Sequence, residues 1–203
     1  MEVGKTIVSA FATPVSNYRW PDSEGLNAAL ADTILELKRG TPGLSKSNVG
    51  GWHSGMDFLD SKVDCVRELR TRLHGYVSAL CRAVARDPSE AADFAMEGWA
   101  NVLRHGQYNS LHCHPNAAWS GVYYVTGNAE PEDEHPFSGR LELVDPRPGA
   151  SLSYSERTSL YGRFMVNPIA GQMVVFPGWL QHQVHPYFGP GERISIAFNV
   201  VHA

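Results

Sequence analysis

From Ala92 to the end the chain breaks into short apolar or alternating runs punctuated by Gly, Pro, Asn and Asp, and this texture constrains the fold more than any other feature. Runs of that length and period cannot sustain helices and read as antiparallel strands. Candidate strands are Ala95 to Leu103, Ala118 to Thr126, Gly139 to Val144, Gly162 to Val166, Gln172 to Phe176 and Arg193 to Val201. Strands at such spacing suggest a double-sheet jelly roll, at whose mouth a small-molecule or metal site is expected.

The N-terminal third has a different period. After an extended stretch around Thr6 to Phe11, Asp22-Ser23-Glu24 opens a segment with Leu26, Leu30, Ile34 and Leu37 on one face and Gly40 just beyond, the layout of a capped amphipathic helix. A second helix is expected from about Lys62 to Arg86. Its buried stripe is Val63, Val66, Leu69, Leu73, Val77, Leu80 and Val84, and its arginines are read as a solvated face. Between the helices, Asn48 to Ser54 reads as a glycine-bearing loop that is either structural or reaches the mouth of the pocket. The fold class is therefore mainly β with flanking N-terminal helices (α+β), a single domain over 1–203 with a helical part over 1–90 and the jelly-roll core over about 92–203.

Composition narrows the partners. A chain of 203 residues, 43% hydrophobic and 19% charged, fits one ordinary globular domain. A formal charge of -4 and a pI of 6.1 give no basic field for gripping a phosphate backbone, so nucleic acid is not favoured. No run approaches the roughly 20 apolar residues of a membrane span, and the N-terminus lacks a signal-peptide layout, so a cytoplasmic location is expected. Cys65, Cys81 and Cys113 lack CxxC spacing and are expected to be reduced thiols. An exposed sheet edge would support a homodimer, though nothing in the chain demands one.

Within this frame His112-Cys113-His114 carries the chemistry. On an extended strand alternate side chains share a face, so His112 and His114 would point one way and Cys113 the other, as a core thiol. A third histidine, His182 in Trp179-Leu180-Gln181-His182, would complete a facial triad with open positions opposite it. His185 competes for that role, but its odd spacing from His182 places it on the other face. His135, in the acidic segment Asn128 to Pro136, is expected to be solvent-exposed. Asn116 is either a turn former or a substrate contact, and Trp119 and Trp179 are expected to pack near the pocket. Arg193 lies eleven residues past His182. Its planar fork suits a carboxylate held by two parallel charge-assisted hydrogen bonds.

Four pieces in order, Gly106-Gln107-Tyr108-Asn109 with His112 to Asn116, Ser120 to Val125, Phe176 to Val184 and Arg193 to Asn199, give the stretch from Trp99 to Asn199 a clear resemblance. The chain resembles the 2-oxoglutarate and iron(II)-dependent oxygenases, in particular the bacterial and phage group of the prolyl-hydroxylase-like superfamily. The resemblance implies a double-stranded β-helix (jelly roll, cupin-like) and an oxidoreductase that uses Fe(II), 2-oxoglutarate and dioxygen. The expected reaction hydroxylates a small-molecule or side-chain substrate with release of succinate and carbon dioxide. It implies His112 and His182, with Val184 and Pro186 after the latter, as metal ligands. Arg193 would be the residue for the distal carboxylate of 2-oxoglutarate, with Ser195 completing its RxS pattern. Tyr124 and Tyr108 correspond to positions where the superfamily often turns a tyrosine toward the co-substrate.

The departure is His114, which stands where the superfamily usually has a carboxylate and removes one negative charge from the ligand set. A carboxylate elsewhere, such as Asp145, is the alternative third ligand, against its plain reading as a turn residue before Pro146. Three-histidine sites also serve enzymes that consume no oxo acid, so a cupin-like metal enzyme without 2-oxoglutarate is a second class. A non-catalytic jelly-roll module that keeps a metal for stability or sensing is a third.

Overall fold

The computed structural model describes residues 10–87, 93–127, 133–150 and 162–202. The expectations for residues 6–9 and 128–132 lie outside them. In chain order the elements are β1 (Ser16–Arg19), α1 (Glu24–Gly40), β2 (Asn48–Val49), β3 (Trp52–His53), a short 3-10 helix (Phe58–Asp60), α2 (Asp64–Val84), β4 (Phe94–Leu103), β5 (Tyr108–His112) and β6 (Trp119–Tyr124). They continue with β7 (Leu141–Val144), β8 (Arg163–Val166), β9 (Gln172–Pro177), β10 (His182–Val184) and β11 (Arg193–His202). The strands form a six-stranded sheet in the order β1-β9-β6-β11-β4-β3 and a five-stranded sheet in the order β2-β5-β10-β7-β8. All the paired strands are antiparallel. From β4 onward the chain crosses repeatedly between the two sheets, which makes the sandwich a double-stranded β-helix.

The two faces of the larger sheet follow from a period of two. Along β11, Ile194, Ile196, Phe198 and Val200 point outward into a core shared with α1 and α2, while Arg193, Ser195 and Ala197 line a cavity between the sheets. The helices supply Leu30, Ile34, Val66, Leu69, Leu73 and Val77 to that core, each fully buried. Each such side chain contributes about 1.5–3 kcal/mol of burial. A smaller cluster, including Leu141, Leu143, Val174, Phe176 and Leu180, fills the space between the sheets beside the cavity.

Both helices form where the period places them, with narrower stripes. Leu37, Val63 and Val84 are exposed, and Cys81 is buried. The Ser23 hydroxyl caps nothing; it donates to the Trp20 carbonyl at 3.1 Å, tying α1 to the end of β1. Ala10 and Phe11 form a turn rather than a strand, with Phe11 at φ 59° and 92% exposed. The segment read as a loop around Gly50 and Gly51 forms β2 and β3 instead. β2 pairs with β5 in the smaller sheet and β3 with β4 in the larger one, so these few residues bridge the two sheets along one side of the cavity.

Candidate metal centre

His112 and His182 sit directly opposite each other on β5 and β10, with ring centroids 4.3 Å apart. β5 ends at His112, so the expected HxH strand pair does not hold for His114, which lies in the turn that follows. Its backbone is fixed from another quarter: His114 N donates to Gly178 O at 2.8 Å, and Ala117 N to His114 O at 3.0 Å. The ring of His114 comes to 5.0 Å from that of His112 and 5.2 Å from that of His182. One ligand nitrogen from each of the three lies within 4.8 Å of the others, the one such group among the described residues.

Hydrogen bonds set the tautomers. Nδ1 of His112 lies 2.7 Å from the Ser110 carbonyl, and Nδ1 of His182 lies 2.8 Å from the Leu180 carbonyl. A carbonyl only accepts, so each Nδ1 carries the proton and each Nε2 keeps a lone pair for a metal. Burial pushes the His182 imidazolium down to about 3, helped by the proximity of His112, and that of His114 down to about 4 for the same two reasons. His112 is lowered by burial, against the opposing hydrogen bond to Ser110. Three imidazoles that resist protonation are poised for a transition-metal cation.

The centre opens on a cavity lined by residues of both sheets. Arg193 reaches it from the larger sheet with 1% exposure; its Nε donates to Gly139 O at 3.1 Å and its Nη1 to Ser195 Oγ at 3.4 Å. Desolvation lowers its pKa, and no carboxylate pairs with it among the described residues. Its guanidinium lies 5.4 Å from the centroid of the Tyr124 ring. The Tyr124 hydroxyl is buried without a hydrogen-bond partner, and burial pushes its pKa up to about 12. A desolvated cation beside a buried hydroxyl donor is suited to binding an anion.

Other candidates fall elsewhere. Asp145 is ion-paired with Arg147 and stands outside the histidine group. His185 turns to Glu142, with Nε2 2.7 Å from Oε2. Tyr108 does not line the cavity. β5 takes three steps from Asn109 to His112 where β10 takes two from Val184 to His182, and this bulge reverses the alternation, turning Asn109 inward and Tyr108 outward. Cys113 is exposed and not a core thiol, because His112 ends the strand. Trp119 packs in the core as expected, whereas Trp179 is 51% exposed. Asn116 lies in an exposed turn, and His135 is half-buried, stacked on Phe188 at 3.6 Å.

Several cavity residues carried no role in the sequence. Trp99 lies 5.7 Å from the His114 ring and stacks on the buried His53 at 5.4 Å. Asn101 and Asn109 are buried at the cavity wall, and Gly178 holds the His114 turn. The available signal for Asn101 was a polar residue inside the apolar run Trp99 to Leu103.

A double-stranded β-helix with an open three-histidine face and a buried arginine in the same cavity defines a class of mononuclear metal enzymes. Residues 97–199 match the family described as "Putative 2OG-Fe(II) oxygenase", and the chain belongs to it. It is an oxidoreductase whose cofactor is Fe(II) and whose co-substrate is 2-oxoglutarate, acting with dioxygen on a small-molecule or peptide substrate. No curated protein matches the sequence. Solved structures share the fold at low identity. A prolyl-4-hydroxylase from Pseudomonas putida superposes with a TM-score of 0.64 at 14% identity, over 95% of this chain and 94% of that one. The viral collagen prolyl hydroxylase of Paramecium Bursaria Chlorella virus-1, solved with 2-oxoglutarate, gives 0.61 at 12%, over 93% and 96%. HygX from Streptomyces hygroscopicus, with nickel, 2-oxoglutarate and hygromycin B bound, gives 0.61 at 15%, over 94% and 84%. No helix among the described residues is long and apolar enough to cross a membrane.

Proposed function

We propose that His112, His114 and His182 hold Fe(II), that Arg193 with Ser195 and Tyr124 holds the distal carboxylate of 2-oxoglutarate, and that the enzyme hydroxylates a C–H bond of its substrate. The observation that carries this reading is the buried, carboxylate-free Arg193 in the same cavity as the histidine triad. The family's co-substrate is a dicarboxylate, and a desolvated guanidinium in the cavity suits its distal carboxylate. Three free thiols suit the reducing cytoplasm expected for the chain.

When bound, iron(II) with 2-oxoglutarate and dioxygen supplies the oxidising power: one oxygen atom enters the succinate formed with carbon dioxide, and the other enters the substrate as hydroxyl. The chain's own residues do the rest. His112 and His182 present Nε2 because Ser110 and Leu180 hold their other protons. Arg193 and the Tyr124 hydroxyl orient the co-substrate through charge-assisted hydrogen bonds. Leu141, Val122 and Phe176 keep the cavity wall dry. Tyr108 is left outside this set.

The test is succinate formation from 2-oxoglutarate, measured with and without Fe(II), for wild type, His182→Ala and Arg193→Met. Iron-dependent succinate that is lost in His182→Ala and needs far more 2-oxoglutarate in Arg193→Met supports the assignment. An unchanged 2-oxoglutarate requirement in Arg193→Met overturns the role of Arg193.

A further inference from the structure

We infer that Asn101 and Asn109 form the binding site for the primary substrate, and that it takes an uncharged group bearing O–H or N–H donors. The inference rests on the site reading above. Asn101 lies directly opposite Ser195 on β11, and Ser195 lies directly opposite Tyr124 on β6. The three therefore form one row across the larger sheet, all facing the cavity. Tyr124 stands on the side of Ser195 that Arg193 stacks against. Asn101 stands on the other side, between Ser195 and His53 of β3.

Asn101 is 6% exposed, and its Oδ1 has no hydrogen-bond partner. A buried amide oxygen left unpaired is destabilising, and an occupant with a donor would satisfy it. Asn109, 8% exposed, faces the same cavity from the smaller sheet. Its Nδ2 is committed to Ser47 Oγ at 3.4 Å, which leaves Oδ1 as its acceptor. Two carbonyl-type acceptors on opposite walls, beside the flat face of Trp99, ask for hydrogen-bond donors.

Charge decides between neutral and cationic donors. Iron(II) brings two positive charges, 2-oxoglutarate two negative ones and Arg193 one positive. Among the described residues no carboxylate lines the cavity, and the three histidines bring no negative charge to it. The loaded cavity keeps a net positive charge, which repels an ammonium group. An anion would gain from that charge but would leave the Asn101 amide oxygen unpaired. An alcohol or a peptide-type N–H satisfies both demands.

The test uses 15N-labelled protein holding zinc(II) in place of iron(II), to keep the resonances sharp, and 2-oxoglutarate. Into it are titrated N-acetylalanine N-methylamide (neutral), N-acetylalanine (anionic), alanine N-methylamide (cationic) and sorbitol (a polyol). Expected are shifts of the Asn101 and Asn109 side-chain amide signals with the neutral amide or with sorbitol, the stronger of the two telling peptide from polyol. Asn101→Ala and Asn101→Ser should each weaken that probe at least about fivefold, with 2-oxoglutarate affinity within about twofold of wild type. Tighter binding of the cation or the anion, no shift with either neutral probe, or an equal loss of 2-oxoglutarate affinity in both variants overturns the proposal. Failure of wild type to bind 2-oxoglutarate at all overturns the site reading along with it.

Discussion

Asn109 and His112 face the same cavity although they stand three positions apart, because a bulge in β5 inserts one residue against the two-residue step from Val184 to His182. The bulge places an amide beside the metal ligand, where strict alternation would have placed Ser110. Deleting Ser110 would restore alternation and leave Asn109 two positions before His112, still on the cavity side. In that variant zinc(II) affinity, read by competition with a chromophoric chelator, is expected to fall by more than about tenfold, since the Ser110 carbonyl also orients His112. Unchanged affinity would mean the bulge is incidental.

On the proposed assignment, Arg193 is a buried cation whose ion-pair partner is the co-substrate. Arg193→Met should leave the unfolding temperature of the ligand-free protein equal to or above that of wild type, because it removes an uncompensated desolvated charge. The rise in unfolding temperature that 2-oxoglutarate gives the metal-loaded wild type should vanish in the variant. Equal stabilisation of both by 2-oxoglutarate would contradict this.

The histidine triad makes the metal-free protein acid-sensitive. The folded pKa values of His182 and His114, about 3 and about 4, lie below the unfolded value near 6.5. Between those limits the unfolded chain binds more protons than the folded one, so stability falls as pH drops below about 6.5 and the loss is complete only near the folded values. The slope is at most about 1.4 kcal/mol per pH unit for each histidine. Urea unfolding of metal-free protein at pH 7.5, 6.0 and 5.0 should show the decline, and His182→Phe should flatten it. A stability independent of pH over that range would refute the burial of these rings.

Gly178 couples packing to the metal. A Cβ there would meet the Ala117 carbonyl and lie 2.8 Å from the His114 carbonyl, both backbone atoms that cannot rotate away. Gly178→Ala should therefore displace the His114 turn and weaken zinc(II) binding more than it lowers stability. Asp145→Asn, in contrast, should leave zinc(II) affinity and stoichiometry at wild-type values, since Asp145 is engaged with Arg147. A loss of metal in Asp145→Asn would restore the carboxylate as the third ligand.

The period-two pattern of Arg193 to Val201 and the helical stripes were legible because each is set by the side of the element that meets the core, and burial enforces that side. Arg193, His112 and His182 were legible through residue type and spacing. Tyr108 and Cys113 stand elsewhere than expected, and Asn109 went unnoticed, for one reason: both the bulge and the early end of β5 arise from pairing with β10, a contact some seventy residues away in sequence that no local pattern encodes. β2 and β3 were missed because each is a two-residue strand held by its partner in a different sheet.

The most direct measurement is an anaerobic titration of metal-free protein with iron(II) and then 2-oxoglutarate, followed in the visible for the weak charge-transfer band of an iron-chelated oxo acid. A band at one iron and one 2-oxoglutarate per chain, absent in His182→Ala and requiring far more 2-oxoglutarate in Arg193→Met, is the expected result. Iron bound by the wild type with no band on adding 2-oxoglutarate, or a band indifferent to Arg193, would contradict it.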